Sequence, residues 1–303
     1  MDAMALSSSD NGKPDNLTWM PSIHWAQYQD SAYYQGNERR LYDFEVMVVI
    51  SGEMIVHFID EPESIRYFPG DLLFLSTRER HRIEIPTAAG AQLLGVHFDF
   101  YDEFELTPEI HMVVDESRVQ EALFCQQPLG PGGERLFTRK YSSLSVDIVK
   151  GMELICEEFT MARTGYELVC RGAMLQMLAS ILRLQSAPRR TASAAYLKAL
   201  RELVDELSGS LHLTWPNTVM AERLNVSEDH FIRLFKEQFG VTPNQYVQHL
   251  RHQEAKRCLR ETDMKIEAIG MRIGYDSLHQ FSHVFKRWQG VSPREYRKLC
   301  SIL

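Results

Sequence analysis

Apolar and polar positions change rhythm along this chain, and each rhythm predicts a different kind of element. Between residues 41 and 100 the apolar positions fall in short runs, VMVVISGEMIVHF, IRYFPGDLLFL and AQLLGVHFDFY, bounded by turn signals. That spacing predicts the strands of a small sandwich or barrel. Ser51-Gly52-Glu53, lying between two β-branched segments, predicts a hairpin. In Pro69-Gly70-Asp71, Pro presets φ and Gly supplies φ > 0 for a turn. After the Pro128–Gly133 loop the period becomes 3.6. Leu144, Ile148, Met152, Ile155 and Phe159 form one stripe, and Leu168, Leu175, Leu178, Ile181 and Leu182 a second, predicting two amphipathic helices. Residues 187–193, APRRTAS, read as a linker, and the pattern beyond is helical throughout.

Within that helical region a single skeleton occurs twice, as FIRLFKEQFGVTPNQY and FSHVFKRWQGVSPREY, fifty residues apart. Each copy ends a similar unit. A short amphipathic helix carries a small residue at its middle (Ala221, Gly270), and four residues later stands one that tolerates a left-handed turn (Asn225, Gly274). A capping serine (Ser227, Ser277) then opens the second helix. Two helices can cross closely only over a tiny side chain, and a sharp turn wants positive φ, so the layout is that of a helix-turn-helix. The offset is 49 up to the turn and 50 after it, so the second turn is one residue longer. In Gly-Val-[Thr/Ser]-Pro, Gly ends one helix and Pro starts the next.

Residues 191–303 are similar to the DNA-binding domain of the AraC/XylS family of bacterial transcription regulators, above all in IEAIGMRIGYDSLHQFSHVFKRWQGVSPREYR. Gly270 stands where that family commonly has Ala, and His283 where it commonly has Arg before Val-Phe-Lys. The helix predicted from Pro243 to about Thr262 spans ~30 Å at ~1.5 Å per residue, close to the ~34 Å turn of B-DNA, so two units on this rod match successive major grooves. Phe231 and Phe235, like Phe281 and Phe285, are spaced i, i+4 and face inward. The opposite faces offer Asp229, Ile232 and Arg233, and Leu278, His279, Gln280 and His283, for base reading, with Arg233 suited to guanine and Gln280 to adenine. Ser227, Lys236, Ser277, Lys286 and Arg287 are the phosphate candidates.

Charge supports this division. The chain carries −8 overall, yet from Thr191 onward 16 Lys and Arg face 13 Asp and Glu, a balance of +3 that leaves −11 on the first 190 residues. A polyanion contact therefore belongs to the C-terminal third. No apolar run approaches the roughly 18 residues of a membrane span, and residues 1–20 read as a flexible leader without signal-peptide character. Five cysteines without a C-x-x-C spacing fit reduced thiols and a cytoplasmic protein.

YDFEVMVVISGEMIVHFI and YFPGDLLFLSTRERHRIE are similar to the cupin-like sensory domain that many members of the same family carry. Tyr42-Asp43-Phe44-Glu45 lacks the H-x-H pair of metal-binding cupins, so neither a metal nor another cofactor is expected, and enzyme motifs such as G-x-S-x-G or a P-loop are missing. His279 and His283 lie i, i+4, but nothing at a suitable spacing completes a metal site with them. Tyr42, Glu45, His81 and His97 are the candidate effector contacts.

The expected fold is α+β in two domains: an N-terminal cupin-like β-barrel with a helical dimerisation segment, and a C-terminal all-α double helix-turn-helix domain. The expected boundaries are a barrel at 21–128, dimerisation or cover helices at 134–186, and a DNA-binding domain at 194–303. Within the last, the helix-turn-helix units take about 214–239 and 265–289 around a connecting helix at about 243–262. The resemblance implies double-stranded DNA, a small-molecule effector such as a sugar, a second copy of the chain and RNA polymerase as partners. The rival reading is a cupin-type binding module or enzyme with a helical interaction domain and no specific DNA binding.

Overall fold

The computed structural model describes residues 18–186 and 194–300, apart from positions 89, 131, 143 and 290. The linker expected at 187–193 and most of the leader lie outside these residues. The chain is mixed, with strands toward its N-terminus and helices beyond. The strands are β1 (Ser22–Ser31), β2 (Tyr34–Gln35), β3 (Arg40–Leu41), β4 (Phe44–Ser51), β5 (Met54–Phe58), β6 (Ile65–Tyr67), β7 (Leu72–Leu75), β8 (His81–Ile85), β9 (Ala91–Asp99), β10 (Val113–Val114) and β11 (Lys140–Tyr141). They hydrogen-bond as separate sheets, one ordered β1-β9-β4-β7-β11, one ordered β2-β8-β5-β6, and a small pair β10-β3.

Strand β4 explains the two layers. Alternation along a strand sends its side chains to opposite faces. Met47 and Val49 meet Met54, Val56 and Ile83 between the sheets, while Phe44, Val46, Val48 and Ile50 face the helices. With both faces covered, β4 is apolar almost throughout. The turn at Gly52 (φ 78°) is a corner and not the expected hairpin, because β4 pairs with β9 and β7 whereas β5 pairs with β6 and β8. Gly70 (φ 83°) turns the chain back to the first sheet. The same turn chemistry serves a hairpin and a corner, so local sequence does not separate them.

The hydrophobic pattern does not announce strand β1, since HWAQYQDS has a polar face that blurs its apolar alternation. Trp19, within the stretch expected to be leader, is buried against Phe100 and Phe137. Helices α1 (Val146–Met161) and α2 (Tyr166–Ser186) back the larger sheet. The buried side of α1 is Ile148, Met152 and Ile155; that of α2 is Cys170, Met174, Met177, Leu178 and Ile181. Leu168 and Leu175, expected in the buried stripe of α2, point outward, Leu168 with 73% of its surface exposed.

The C-terminal region comprises α3 (Ala194–Gly209), α4 (Asn217–Arg223), α5 (Glu228–Phe239), α6 (Pro243–Glu261), α7 (Ile266–Arg272), α8 (Leu278–Gln289) and α9 (Pro293–Cys300). Helices α4 and α5 form one helix-turn-helix and α7 and α8 the other, and their interiors repeat almost to the ångström. Phe231–Phe235 and Phe281–Phe285 stack edge-on with centroids 5.6 and 5.7 Å apart; Phe235–Tyr246 and Phe285–Tyr296 do so at 5.4 and 5.5 Å. The shared Phe, Phe and Tyr of the repeat are thus one row of three rings built twice. Thr242 with Gln245, and Ser292 with Glu295, cap α6 and α9 reciprocally. Gly270 has a local reason: a Cβ there would lie 3.1 Å from Cβ of Phe281.

Helix α6 belongs to both units. Val247 and Leu250 pack in the first core, and Ala255, Cys258 and Leu259 in the second. The first core also runs on into the sheet and α1, whereas the second is a separate cluster. Polar contacts follow suit: Tyr246 Oη donates to Ile50 O at 3.2 Å, Gly52 N to Asp205 Oδ1 at 3.0 Å, and the Arg201 guanidinium lies 3.6 Å from the Phe68 ring centroid.

Both turns hold positive φ, at Asn225 (53°) and Gly274 (86°). A Cβ on Gly274 would come within 2.7 Å of the Leu211 carbonyl oxygen. Gly274→Ala is therefore expected to lose about 2 kcal/mol or more in urea unfolding, from backbone strain added to that clash, while Asn225→Gly stays within about 0.5 kcal/mol of the parent.

Candidate functional site

Two regions collect the chemistry. The first is the outward face of the twin units. The second helix of each unit begins at its serine: Ser227 Oγ accepts from His230 N and Ser277 Oγ from Gln280 N, which satisfies a free helix N–H and fixes the helix start. With the phenylalanines inside, Asp229 and Arg233 on α5 and Leu278, His279, Gln280 and His283 on α8 stand exposed. Ile232 differs, being half-buried against the first core because, three residues before Phe235 and seven before Phe239, it lies on the flank of the buried face. Lys236, Lys286 and Arg287 are exposed near the helix ends. Lys236 and Arg287 also border a cleft of about 720 Å³ between the sheet, α1, α5, α6 and α8, with Lys150, Glu153, His249 and Trp288 also on its wall. Their position at the C-terminal ends of α5 and α8 turns them toward the N-terminal domain.

The second region is a cavity of about 340 Å³ between the sheets. Cross-strand register sets its floor: Trp25 on β1 is opposite His97 on β9, and His97 is opposite Glu45 on β4. Gln29, Arg39 and Met47 add to the lining. Gly95 leaves room for the floor, since a Cβ there would lie 3.0 Å from Cζ3 of Trp25 and 3.2 Å from Nε2 of Gln29.

Behind the floor runs a chain of alternating acids and imidazoles. His97 Nε2 lies 3.4 Å from Glu45 Oε1 and its Nδ1 3.0 Å from Asp43 Oδ1; His24 Nδ1 lies 2.8 Å from Asp43 Oδ2 and its Nε2 3.2 Å from Asp99 Oδ2. A β-bulge at His24, where the register slips between Ile23 and Trp25, lets the His24 ring share the inward side with Trp25. Burial pulls both imidazoles down, but the flanking carboxylates overcome it and hold His24 up at about 9 and His97 at about 10. Burial pushes Glu45 up, and His97 more than reverses this. Glu45 is 2% exposed, and its Oε2 has no hydrogen-bond partner among the described residues.

Two of the four predicted effector contacts fall elsewhere. Tyr42 precedes β4, so strand alternation does not carry to it; its ring packs on Phe124 and Phe104, and its hydroxyl accepts from Gln120 N at 3.0 Å. His81 is fully buried behind Arg39, whose Nε donates to His81 Nε2 at 3.3 Å, while Nδ1 meets the Glu79 carbonyl. Burial, with the charge of Arg39, drops His81 to about 4, so it is neutral at pH 7. Trp25, Gln29 and Arg39 join the site without having been expected there; the available signal is the alternation Trp25, Gln27, Gln29, Ser31, a polar face of the kind that lines a wet cavity. All five cysteines are free, and burial raises their thiols, which keeps them unreactive.

A family model described as "Helix-turn-helix domain" matches residues 220–299. The HTH-type transcriptional regulator MtrA of Neisseria gonorrhoeae is 31% identical over 101 residues, covering 33% of this chain and 34% of that protein. The HTH-type transcriptional activator RhaR of Enterobacter sp. (strain 638) is 28% identical over 122 residues, 40% of this chain and 43% of its own. A solved transcriptional regulator from Chromobacterium violaceum, with an AraC-type DNA-binding domain, is 28% identical, covers 36% of this chain and 97% of its own, and has a TM-score of 0.33. The chain spans about a third of the length of the curated relatives it matches. Among the described residues no helix is long and apolar enough to cross a membrane.

The raised imidazoles have a measurable consequence. A group whose pKa rises on folding stabilises fully below its unfolded value of 6.5 and loses that contribution as pH climbs through the folded value. The stability of the full chain, and with it the melting temperature, is therefore expected to fall between pH 7.5 and 10, by on the order of 5 kcal/mol as His24 and His97 deprotonate. In His24→Gln, scanning calorimetry is expected to show a distinctly flatter alkaline limb.

Proposed function

We propose, for a chain that belongs through its C-terminal domain to the AraC family of transcription regulators, that it binds a double-stranded operator with both helix-turn-helix units under control of a small molecule held by the N-terminal domain. The observation that carries this reading is the pair of matching aromatic rows, each in a core to which α6 contributes. Two units built alike, each with an exposed face, sit at a separation that α6 sets. Its 19 residues extend ~28 Å at ~1.5 Å per residue, near the ~34 Å repeat of successive major grooves. Arg233 reads guanine and Gln280 adenine, Leu278 meets a thymine methyl, and Asp229, His279 and His283 flank them. Ser227, Ser277, Lys236, Lys286 and Arg287 hold phosphates, the last and Lys236 from the cleft side.

The N-terminal domain is the sensor, cupin-like in its paired sheets, and its effector occupies the cavity over Trp25, Glu45 and His97. What supports a carbohydrate is the balance of the lining. Arg39 and His97 bring positive charge, Glu45 and Asp43 behind it negative, and Gln29 adds a neutral amide beside an indole face. A neutral molecule whose hydroxyls both donate and accept suits such a site, whereas a bare anion or cation does not. The outward face of α2, with Leu168, Val169, Gly172 and Leu175, is an apolar strip of the kind that pairs with its own copy. The dimer acts in the cytoplasm on transcription by RNA polymerase and carries out no catalysis. Because the first core is continuous with the sheet and α1, a change in the sensor reaches the first unit through a shared core, and the second through α6 and the edge contact of Met161.

In gel-shift titrations with the DNA upstream of the chain's own gene, Arg233→Ala and Gln280→Ala are each expected to cost ~1 to 3 kcal/mol at the specific site and little on random DNA. Equal losses on both DNAs would remove base reading from these residues. Light scattering of the full chain at tens of micromolar is expected to report a dimer, and Leu168→Glu a monomer whose circular dichroism spectrum matches the parent's.

A further inference from the structure

Glu45 is an odd group to leave half-used. It is buried, it closes the cavity floor, one of its oxygens is unpartnered, and its single bond to the ion chain is the longest, 3.4 Å against 2.8 to 3.2 Å for the other three. Without it, Asp99, His24, Asp43 and His97 already form a neutral set of two carboxylates and two imidazolium ions. Glu45 can therefore exchange His97 for a ligand donor without stranding a charge. At the far end Asp99 caps a loop, its carboxylate accepting from the backbone N–H of Tyr101, Asp102, Glu103 and Phe104 at 2.6 to 3.1 Å. Asp102 sits there at φ 56°, a strained angle for a residue with a side chain, and its Oδ2 receives Arg171 Nη2 of α2 at 2.8 Å. Arg171 Nε also donates to the Pro21 carbonyl at 3.1 Å, beside the start of β1.

We propose that this five-member chain carries the state of the cavity to the Tyr101–Phe104 loop and through Arg171 to α2, with Glu45 as the member that changes partner. The proposal rests on reading the cavity as the effector site and adds how occupancy leaves it. Its physics gives a sign. Each interior member is shared between two neighbours, so strengthening one bond weakens the next. If Glu45 turns to a ligand, His97 closes on Asp43, Asp43 loosens its hold on His24, His24 moves onto Asp99, and Asp99 releases its backbone donors. Removing His97 instead frees Asp43 for His24, draws His24 off Asp99 and tightens the cap. Cavity occupancy thus loosens the loop against which α2 is anchored.

Hydrogen exchange on the full chain tests this without any ligand. In Glu45→Gln the amides of Tyr101 to Phe104 are expected to exchange roughly threefold faster than in the parent, and in His97→Gln roughly threefold slower. Glu84→Gln, which breaks the 2.7 Å His57–Glu84 pair outside the chain, serves as control and leaves them unchanged. Opposite signs are what a merely structural role would not give, since two destabilising changes would both speed exchange. Should Glu45→Gln not fold, slower exchange in His97→Gln supports the chain on its own. Faster exchange in both variants, or no change in either, overturns it. That failure leaves the effector reading of the cavity standing, just as a cavity that binds no sugar leaves the coupling standing.

Discussion

The sharing of α6 between two hydrophobic cores is the constraint from which the rest of the C-terminal domain follows. Its first half contributes Val247 and Leu250 to one aromatic cluster and its second half Ala255, Cys258 and Leu259 to another, with no break in the backbone ladder between them. A helix held by packing at both ends cannot bend without opening a core, and opened cores cost several kcal/mol. Helices α5 and α8 are therefore held in distance and phase through the cores they share with α6. Arg251 reinforces the join, its guanidinium donating to the Leu211 and Leu213 carbonyls while lying over Tyr275.

The units are alike inside but differ in attachment. Phe239 of the first packs on the Gly70 turn, where a Cβ on the glycine would come within 2.9 Å of its ring, and Tyr246 hydrogen-bonds to the β4 backbone. The second unit has no comparable core link to the sheet among the described residues; its ties to the N-terminal domain are Met161 of α1, packed on its core, and α6, where Gln253 donates to Glu153 and Lys256 faces Glu157 on α1. Glu153 also accepts from Tyr28 Oη of β1, so one carboxylate touches sheet, cover helix and connecting helix. Burial pushes that acid up, but His249 and Lys256 bring it below the usual range, as suits a group that must stay charged to hold three elements.

The interior of the N-terminal domain follows another rule. Buried charges are tolerated where each has a partner of opposite sign, and in the sequence Asp99, His24, Asp43, His97, Glu45 every member but the last is satisfied on both sides. Such a row is rigid in the middle and yields at its end, and the end lies at the cavity. A glycine beneath the floor and a bulge in β1 are the two backbone adjustments that let the indole and imidazole rings fit.

The C-terminal design was legible in the sequence because its determinants are local. A capping serine, a residue at positive φ, a Pro at the first turn of a helix and phenylalanines four apart each act within a few residues, so Asn225, Gly274, Pro243 and the Phe pairs announce their conformations alone. Repetition then supplied what one copy could not, since two similar patterns rarely arise from generic packing. The N-terminal site was only partly readable. Glu45 and His97 stood out as polar residues in apolar strands, but Trp25, Gln29 and Arg39 did not, and Tyr42 and His81 fell outside. The cavity and its ion chain join residues 24 to 99 across three strands, and a single bulge decides which face His24 takes. By itself the sequence determined the helices, their caps and the twin units; cross-strand register, sheet corners and the outward turn of Leu168 were left to the tertiary structure, because pairing between distant segments leaves no periodic trace in either one.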